Sequence, residues 1–281
     1  MIKVYINGKE THVTKDTKVL HACTKAGFRV PHLCYHEDLP AFGNCGVCIV
    51  EINGKPLRSC TTPCEEGMQI KTTGRKLLEL RREALELILS NHPNNCPECI
   101  KNGRCELQDL AQELAIRHMH LNKIPRPYQG RDESSPSVTL DPSYCVQCGR
   151  CVYVCNEIQD VHALENSERG FNTFVGPTFE RPLEDSECVK CGQCSAHCPV
   201  AAIYENDDSD ALWEALDNPD LVLVAQEAPA VRVALGEEFG LRPGHNVAPK
   251  MYTALRELGF HYVFDTNFGA DLTIMEEASE F

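Results

Sequence analysis

The sequence predicts an α+β chain built of several domains. Three observations carry that reading. Fifteen of the 17 cysteines fall into four groups, all before residue 199. Two Asn-Gly pairs, Asn7-Gly8 and Asn53-Gly54, each separate strand-like runs within residues 1–74. Beyond residue 198 cysteine stops, and from 209 short apolar runs alternate with helical periodicity. With 281 residues there is length for two or more domains.

Residues 1–74 read as a mixed α/β module. Ile2, Val4 and Ile6 alternate with polar or amphipathic neighbours, as one strand face does. Asn7-Gly8 turns the chain and residues 11–14 return it. Residues 17–26 read as a helix closed by Gly27. A second hairpin follows, residues 47–52 and 56–59, around Asn53-Gly54. Residues 75–90 form an amphipathic helix through Leu77, Leu80, Ala84, Leu87 and Ile88, stopping before Pro93. A cysteine-rich loop and a short helix over 106–116 come next. Residues 122–143 are rich in Pro, Ser, Gly and charge and read mostly as a linker. Two cysteine runs then make a compact repeat. In the tail, residues 221–225 read as a buried-type strand, 231–239 and 248–258 as helices, 262–265 as a strand, and a last helix runs to Phe281.

Charge and termini narrow the class. The formal net charge of −14 argues against nucleic acid and against an acidic membrane surface. The pairs Arg75-Lys76 and Arg81-Arg82 read as a solvated helix face. No apolar run approaches a membrane span. The first residues run straight into a strand, so no signal peptide is expected. The expected location is the cytoplasm, where thiols stay reduced and clustered cysteines bind metal rather than pair.

The first group is Cys34-x10-Cys45-x2-Cys48-x11-Cys60. Four thiolates are the usual set for a 2Fe-2S cluster. Small residues around Cys45 and Cys48 let backbone N–H groups turn toward sulfur. Cys64 competes with Cys60 as fourth ligand; Cys60, with the shorter reach from the preceding strand, is preferred. His36 beside Cys34 has no second His to make a Rieske pair. The second group, His92-x3-Cys96-x2-Cys99-x5-Cys105, suits a 4Fe-4S cluster with one imidazole ligand, with structural zinc as the rival. The third and fourth are Cys145-x2-Cys148-x2-Cys151-x3-Cys155 and Cys188-x2-Cys191-x2-Cys194-x3-Cys198. They form the two-cluster ferredoxin signature, in which the last Cys of each run ligates the other cluster. Cys145, Cys148, Cys151 and Cys198 would then hold one 4Fe-4S, and Cys155, Cys188, Cys191 and Cys194 the other. Asn156 stands where bacterial ferredoxins have Pro. Cys23 reads as core packing. His12, His118, His120, His162 and His197 have no ligand spacing, and the tail glycines make no G-x-G-x-x-G.

The order of these sites resembles the N-terminal half of large FeFe hydrogenases. The first two modules also resemble the start of the large iron–sulfur subunit of respiratory complex I, which lacks the full pair of ferredoxin runs. The diaphorase small subunit of NAD-reducing NiFe hydrogenases is similar too, but typically ends near the ferredoxin module. Gln226-Glu227-Ala228-Pro229-Ala230-Val231-Arg232 and Val263-Phe264-Asp265-Thr266-Asn267-Phe268-Gly269 resemble the opening of the FeFe hydrogenase catalytic domain. The resemblance implies a β-grasp 2Fe-2S domain over 1–74, a His- and Cys-ligated 4Fe-4S domain over 75–121, and a linker over 122–137. A two-cluster 4Fe-4S domain over 138–207 and a partial hydrogenase-like α/β segment over 208–281 complete it. In that family the motifs for the catalytic H-cluster come later, and here no cysteine follows Cys198.

The resemblance therefore implies a non-catalytic electron-transfer subunit of an NAD- and ferredoxin-coupled, electron-bifurcating oxidoreductase, with one 2Fe-2S and three 4Fe-4S clusters. The partners it implies are a flavin- and iron–sulfur-containing NADH dehydrogenase-type subunit, a small 2Fe-2S subunit, a separate hydrogenase of NiFe type, and soluble ferredoxin. The alternatives are the same wiring in a formate dehydrogenase or NAD(P) transhydrogenase, a free multi-cluster carrier, and a zinc-binding scaffold.

Overall fold

The hairpin signals mark real hairpins. Strands β1 (Ile2–Ile6) and β2 (Lys9–Val13) pair antiparallel across Asn7-Gly8, with Ile6 opposite Lys9. Both turn residues have positive φ, 49° and 82°, as a tight hairpin turn requires. Helix α1 (Val19–Lys25) buries Val19, Leu20, Ala22 and Cys23, and Gly27 follows its end at φ 87°. Strands β3 (Ile49–Ile52) and β4 (Lys55–Arg58) form the second hairpin. Strand β5 (Gln69–Lys71) inserts between the two hairpins, parallel to β1 and antiparallel to β3. The sheet order is β2-β1-β5-β3-β4. Val4, Ile6, Val50, Ile52 and Ile70 pack with α1 in one core, a β-grasp arrangement.

The structure is a computed structural model and describes residues 1–127 and 130–281. It divides into two units, Met1–Asn206 and Asp207–Phe281. Helix α2 (Arg75–Asn91) extends the first unit. Its buried face is Leu77, Arg81, Leu85 and Leu89, one i, i+4 row. That corrects the expected stripe, since Leu87 is 59% exposed. It also corrects the solvated reading of Arg81. This side chain is buried and donates to the Ile49 carbonyl at 2.9 and 2.6 Å and the Thr72 carbonyl at 2.9 Å. Two carbonyls presented side by side suit a guanidinium fork, which offsets the cost of burying it. Arg82 likewise donates to the Leu114 carbonyl at 2.7 Å.

Helix α3 (Glu106–Glu113) buries Leu107 and Leu110. The segment expected as a linker over 122–137 ends where a strand of the following domain begins, and it is held by long-range bonds. Residues 138–140 are strand β6 (Val138–Leu140). Earlier residues are tied down by long-range bonds: the Ile124 N–H donates to Ser90 at 2.9 Å, and Asp132 accepts from the Leu183 N–H at 2.7 Å. Composition made this stretch look loose, but its polar groups serve the backbone of other segments. Helix α4 (Arg150–Tyr153) continues as a π-type turn over Val154–Ile158. Strands β7 (Glu165–Ser167) and β8 (Phe174–Gly176) pair, short helix α5 (Gln193–Ala196) follows, and β9 (Ile203–Glu205) returns to β6.

The second unit holds α6 (Ser209–Leu216), β10 (Val224–Gln226), α7 (Val231–Glu238), α8 (Ala248–Leu258), β11 (Tyr262–Phe264) and α9 (Thr266–Glu280). β10 and β11 are parallel, with α7 and α8 in the crossover between them. Glu227 is buried and accepts from Arg232 and Tyr252, each at 3.1 Å. The strand expected at 221–225 begins only at Val224, and Leu221, Val222 and Val224 are exposed rather than buried. A two-stranded sheet has no second layer over these side chains within the unit. Among the described residues, no helix is long and apolar enough to cross a membrane.

Candidate iron–sulfur centres

All 17 cysteines are free thiols. In the first group Cys34 follows α1, Cys45 and Cys48 lie in the loop before β3, and Cys60 follows β4. The four are buried. The Sγ atoms of Cys48 and Cys60 are 3.3 Å apart, and the Cys45 N–H points at Cys34 Sγ at 3.5 Å. Gly43 and Gly46 have φ of 71° and 70°, which lets the loop curl inward. A Cβ on Gly43 would meet Thr61 at 2.9 Å. The Cys45 and Cys60 thiols, with backbone N–H groups, hold the Cys34 thiolate well below its usual range, and their own pKa values rise in turn. Cys64 is placed differently. Its N–H donates to the Thr17 carbonyl at 2.8 Å, and its thiol lies near Cys23 in the sheet–helix core that also takes in Cys48 and Cys60; burial pushes the Cys23 thiol up to about 12.

His92 caps the C-terminus of α2 and is buried. Its Nδ1 accepts the Asn94 N–H at 3.3 Å, while Nε2 is buried with no partner at all. Burial lowers its pKa, which favours the neutral imidazole. A buried, unpartnered ring nitrogen is costly unless something binds it. Cys96 opens a 3-10 turn, Cys99 closes it, and Cys105 is the N-cap of α3. Burial raises the Cys105 thiol, and charge on Cys99 and Cys96 would raise it further.

The two later runs share one backbone. Gln147 and Lys190 adopt positive φ, 52° and 59°, as do Gly149 and Gly192, 86° and 73°. In each run an N–H two residues on donates to the first sulfur, Cys145 or Cys188, at 3.4 Å. Cys145, Cys148, Cys151 and Cys198 line one small, largely apolar cavity. Cys155, Cys188, Cys191 and Cys194 line another. Burial pushes the Cys145 thiol up to about 11 and those of Cys148 and Cys194 to about 12. Neutral thiols in such cavities must lose protons when metal binds.

The donor chemistry fits iron–sulfur groups. Among the described residues, the side chains that bring three candidate metal-binding atoms within 4.8 Å of one another are His36, Asp38 and His197. The His36–His197 approach carried no sequence signal, because the two residues lie far apart in the chain. The same holds for Asn44, whose amide donates to the Gln147 and Cys148 carbonyls at 3.3 and 3.2 Å. Cys34, Cys45, Cys105 and Cys148 meet in one buried cluster with the partly buried Cys145 and Cys198 packed against it, so residues from all four groups share a core.

A mixed sheet with an inserted cysteine loop, followed by three further thiolate-rich sites, defines an iron–sulfur electron-transfer protein. Four family models match parts of the chain. They are the 2Fe-2S iron-sulfur cluster binding domain over residues 1–75 and the NADH-ubiquinone oxidoreductase-G iron-sulfur binding region over 81–120. The others are the 4Fe-4S binding domain over 183–204 and the C-terminal domain of the iron only hydrogenase large subunit over 222–281. The chain is 43% identical to NADP-reducing hydrogenase subunit HndD of Solidesulfovibrio fructosivorans, over all of this chain and 49% of that protein. It is 35% identical to Iron hydrogenase 1 of Clostridium pasteurianum, with the same coverage. The NADH-quinone oxidoreductase G subunit of Rickettsia bellii is 38% identical over 72% of this chain and 30% of its own length. The chain thus spans half or less of these relatives. A crystal structure of NAD+-reducing NiFe-hydrogenase in the H2-reduced state superposes with a TM-score of 0.69 at 30% identity, covering 73% of this chain and 87% of that one. The chain belongs to the family of iron–sulfur electron-transfer subunits related to FeFe and NiFe hydrogenases and to the G subunit of NADH-quinone oxidoreductase.

Proposed function

We propose that residues 1–281 relay electrons between a flavin-containing NADH dehydrogenase-type subunit and a separate catalytic centre, a NiFe-type hydrogenase first among the candidates. The complex would be cytoplasmic, NAD- and ferredoxin-coupled and electron-bifurcating, and would include a small 2Fe-2S subunit. Bound clusters would supply a chain of one-electron carriers. Cys34, Cys45, Cys48 and Cys60 would hold a 2Fe-2S centre. His92, Cys96, Cys99 and Cys105 would hold a 4Fe-4S centre through the free Nε2. Cys145, Cys148, Cys151 and Cys198 would hold a second, and Cys155, Cys188, Cys191 and Cys194 a third. The approach of Cys60 Sγ to Cys48 Sγ at 3.3 Å, and its thiol's interaction with Cys34, support Cys60 as fourth ligand.

The single observation that carries a relay is the core shared by residues of all four cysteine groups, the candidate ligands of three centres. Separate carriers would have no need to pack their ligand loops together. The tail adds no thiolate, since residues 199–281 contain no cysteine. The chain's own residues would therefore bind and space the carriers, exclude water from them, and leave hydrogen chemistry to groups outside this span.

The test is metal analysis of anaerobically purified protein. The ligand sets give about 14 iron atoms per chain, with matching acid-labile sulfide and negligible zinc. About one zinc, with one fewer 4Fe-4S signal, would make the His92 site structural zinc.

A further inference from the structure

Arg150 lies between Cys148 and Cys151 in the first ferredoxin-type run. Its side chain is 2% exposed, which is rare for arginine unless it is paired. Nη2 donates to the Leu33 carbonyl at 2.6 Å and the Tyr35 carbonyl at 2.8 Å, the residues on either side of Cys34. The two Nη atoms also grip the Glu106 carboxylate at 2.6 and 2.8 Å, next to Cys105. Nη1 reaches the His197 carbonyl at 3.4 Å, just before Cys198. Segments bearing candidate ligands of three different centres therefore converge on one guanidinium. In the second run the matching position is Gln193, which is neutral and only half-buried.

A buried cation acts strongly on nearby redox centres, because the surroundings screen it poorly. Reduction adds negative charge, so a fixed positive charge favours the reduced state. Arginine keeps that charge at any working pH. We propose that Arg150 is a positioning residue for electron transfer. It ties together the ligand loops of three centres and raises the potentials of the 2Fe-2S centre and the first-run 4Fe-4S centre relative to the second-run centre. This rests on the relay reading above, and it goes further by naming the residue that fixes the spacing and shifts the relative potentials.

The test uses the full chain with clusters reconstituted anaerobically, in wild-type, Arg150→Gln, Arg150→Lys and Glu106→Gln forms. Iron is counted first, then each centre is titrated by EPR-monitored potentiometry. Arg150→Gln should keep its iron, lower the potentials of the 2Fe-2S and first-run centres, and move the second-run centre least. Arg150→Lys, which keeps the charge, should bring the potentials back toward wild type. Glu106→Gln removes the opposing charge from a half-exposed site and should shift the same centres upward. Full iron with unchanged potentials in Arg150→Gln, or equal shifts at every centre, would overturn the proposal. If Arg150→Gln loses its iron, Glu106→Gln decides: an upward shift supports the proposal and no shift overturns it. A wild-type chain lacking the 4Fe-4S signals would instead sink the relay reading itself, so the two failures are distinguishable.

Discussion

Residues 145–155 and 188–198 repeat one cysteine spacing and one backbone path, yet they sit in different surroundings. In the first run Cys148 and Cys151 are buried, while in the second Cys191 is exposed and so is Val189 beside it. The first run is braced from the 2Fe-2S module. The Asn44 amide reaches two of its carbonyls, and Phe42 packs edge-on to Tyr153 with ring centroids 5.6 Å apart. In the second run a Cβ placed on Gly192 would meet no neighbour closer than Ser195, at 4.0 Å. A cysteine run is thus a local device for presenting sulfur. Whether it becomes a buried junction or a surface-facing site depends on what the rest of the chain packs against it.

The largest test of that contrast removes one sulfur from each run. Cys148→Ala and Cys191→Ala should each lose about four irons per chain. Cys148→Ala opens the shared core as well, so its thermal midpoint should fall further than that of Cys191→Ala. Cys155→Ala refines the same comparison. Its thiol lines the cavity of Cys188, Cys191 and Cys194, so the EPR signal of that centre should vanish while the first-run signal persists. Equal midpoints for Cys148→Ala and Cys191→Ala would erase the difference in surroundings.

A smaller effect is expected at the paired glycines. Both hold positive φ, so alanine costs about 1 kcal/mol at either place. At Gly149 the new Cβ would also lie 3.2 Å from the Asn44 amide nitrogen that braces the run. Gly149→Ala should therefore be destabilised by about 1 kcal/mol more than Gly192→Ala, through loss of about one hydrogen bond. Denaturation of the two reconstituted variants side by side measures it, and identical loss would mean that the Asn44 brace carries no stability.

The smallest effect concerns the strained residues two positions earlier, Gln147 and Lys190. Lys190→Gly should be stabilising by up to about 1 kcal/mol, because glycine accepts the left-handed backbone without strain. Its exposed pairing with Glu184 at 2.9 Å contributes little against this. Gln147→Gly should gain nothing, since the Gln147 amide donates to the Thr173 carbonyl and that bond would be lost. A matching gain in both variants would show the Gln147 contact to be idle.

Much of this protein was legible from residues close together in the chain. Asn7-Gly8 and Asn53-Gly54 fix two hairpins, because a two-residue turn needs positive φ at both positions. The helix ends at Gly27 and before Pro93 followed from the same local chemistry. Cysteine spacing, which is set by how far a short loop can reach around a cluster, marked the four candidate sites.

What the sequence left open depends on partners distant in the chain. Nothing near residues 69–71 says that they enter the sheet between β1 and β3, and nothing in the Pro- and Ser-rich stretch says that residues 138–140 pair with 203–205. Arg81 and Arg150 look like surface charges until carbonyls from remote segments are brought around them. Cys60 and Cys64 are equally good thiols along the chain and share one core; only the fold sets Cys60 against Cys48, at 3.3 Å, and Cys64 beside Cys23. Local chemistry sets turns, caps and ligand reach. Burial depends on the whole fold, because shielding a polar group from water takes acceptors from segments that spacing along the chain cannot locate.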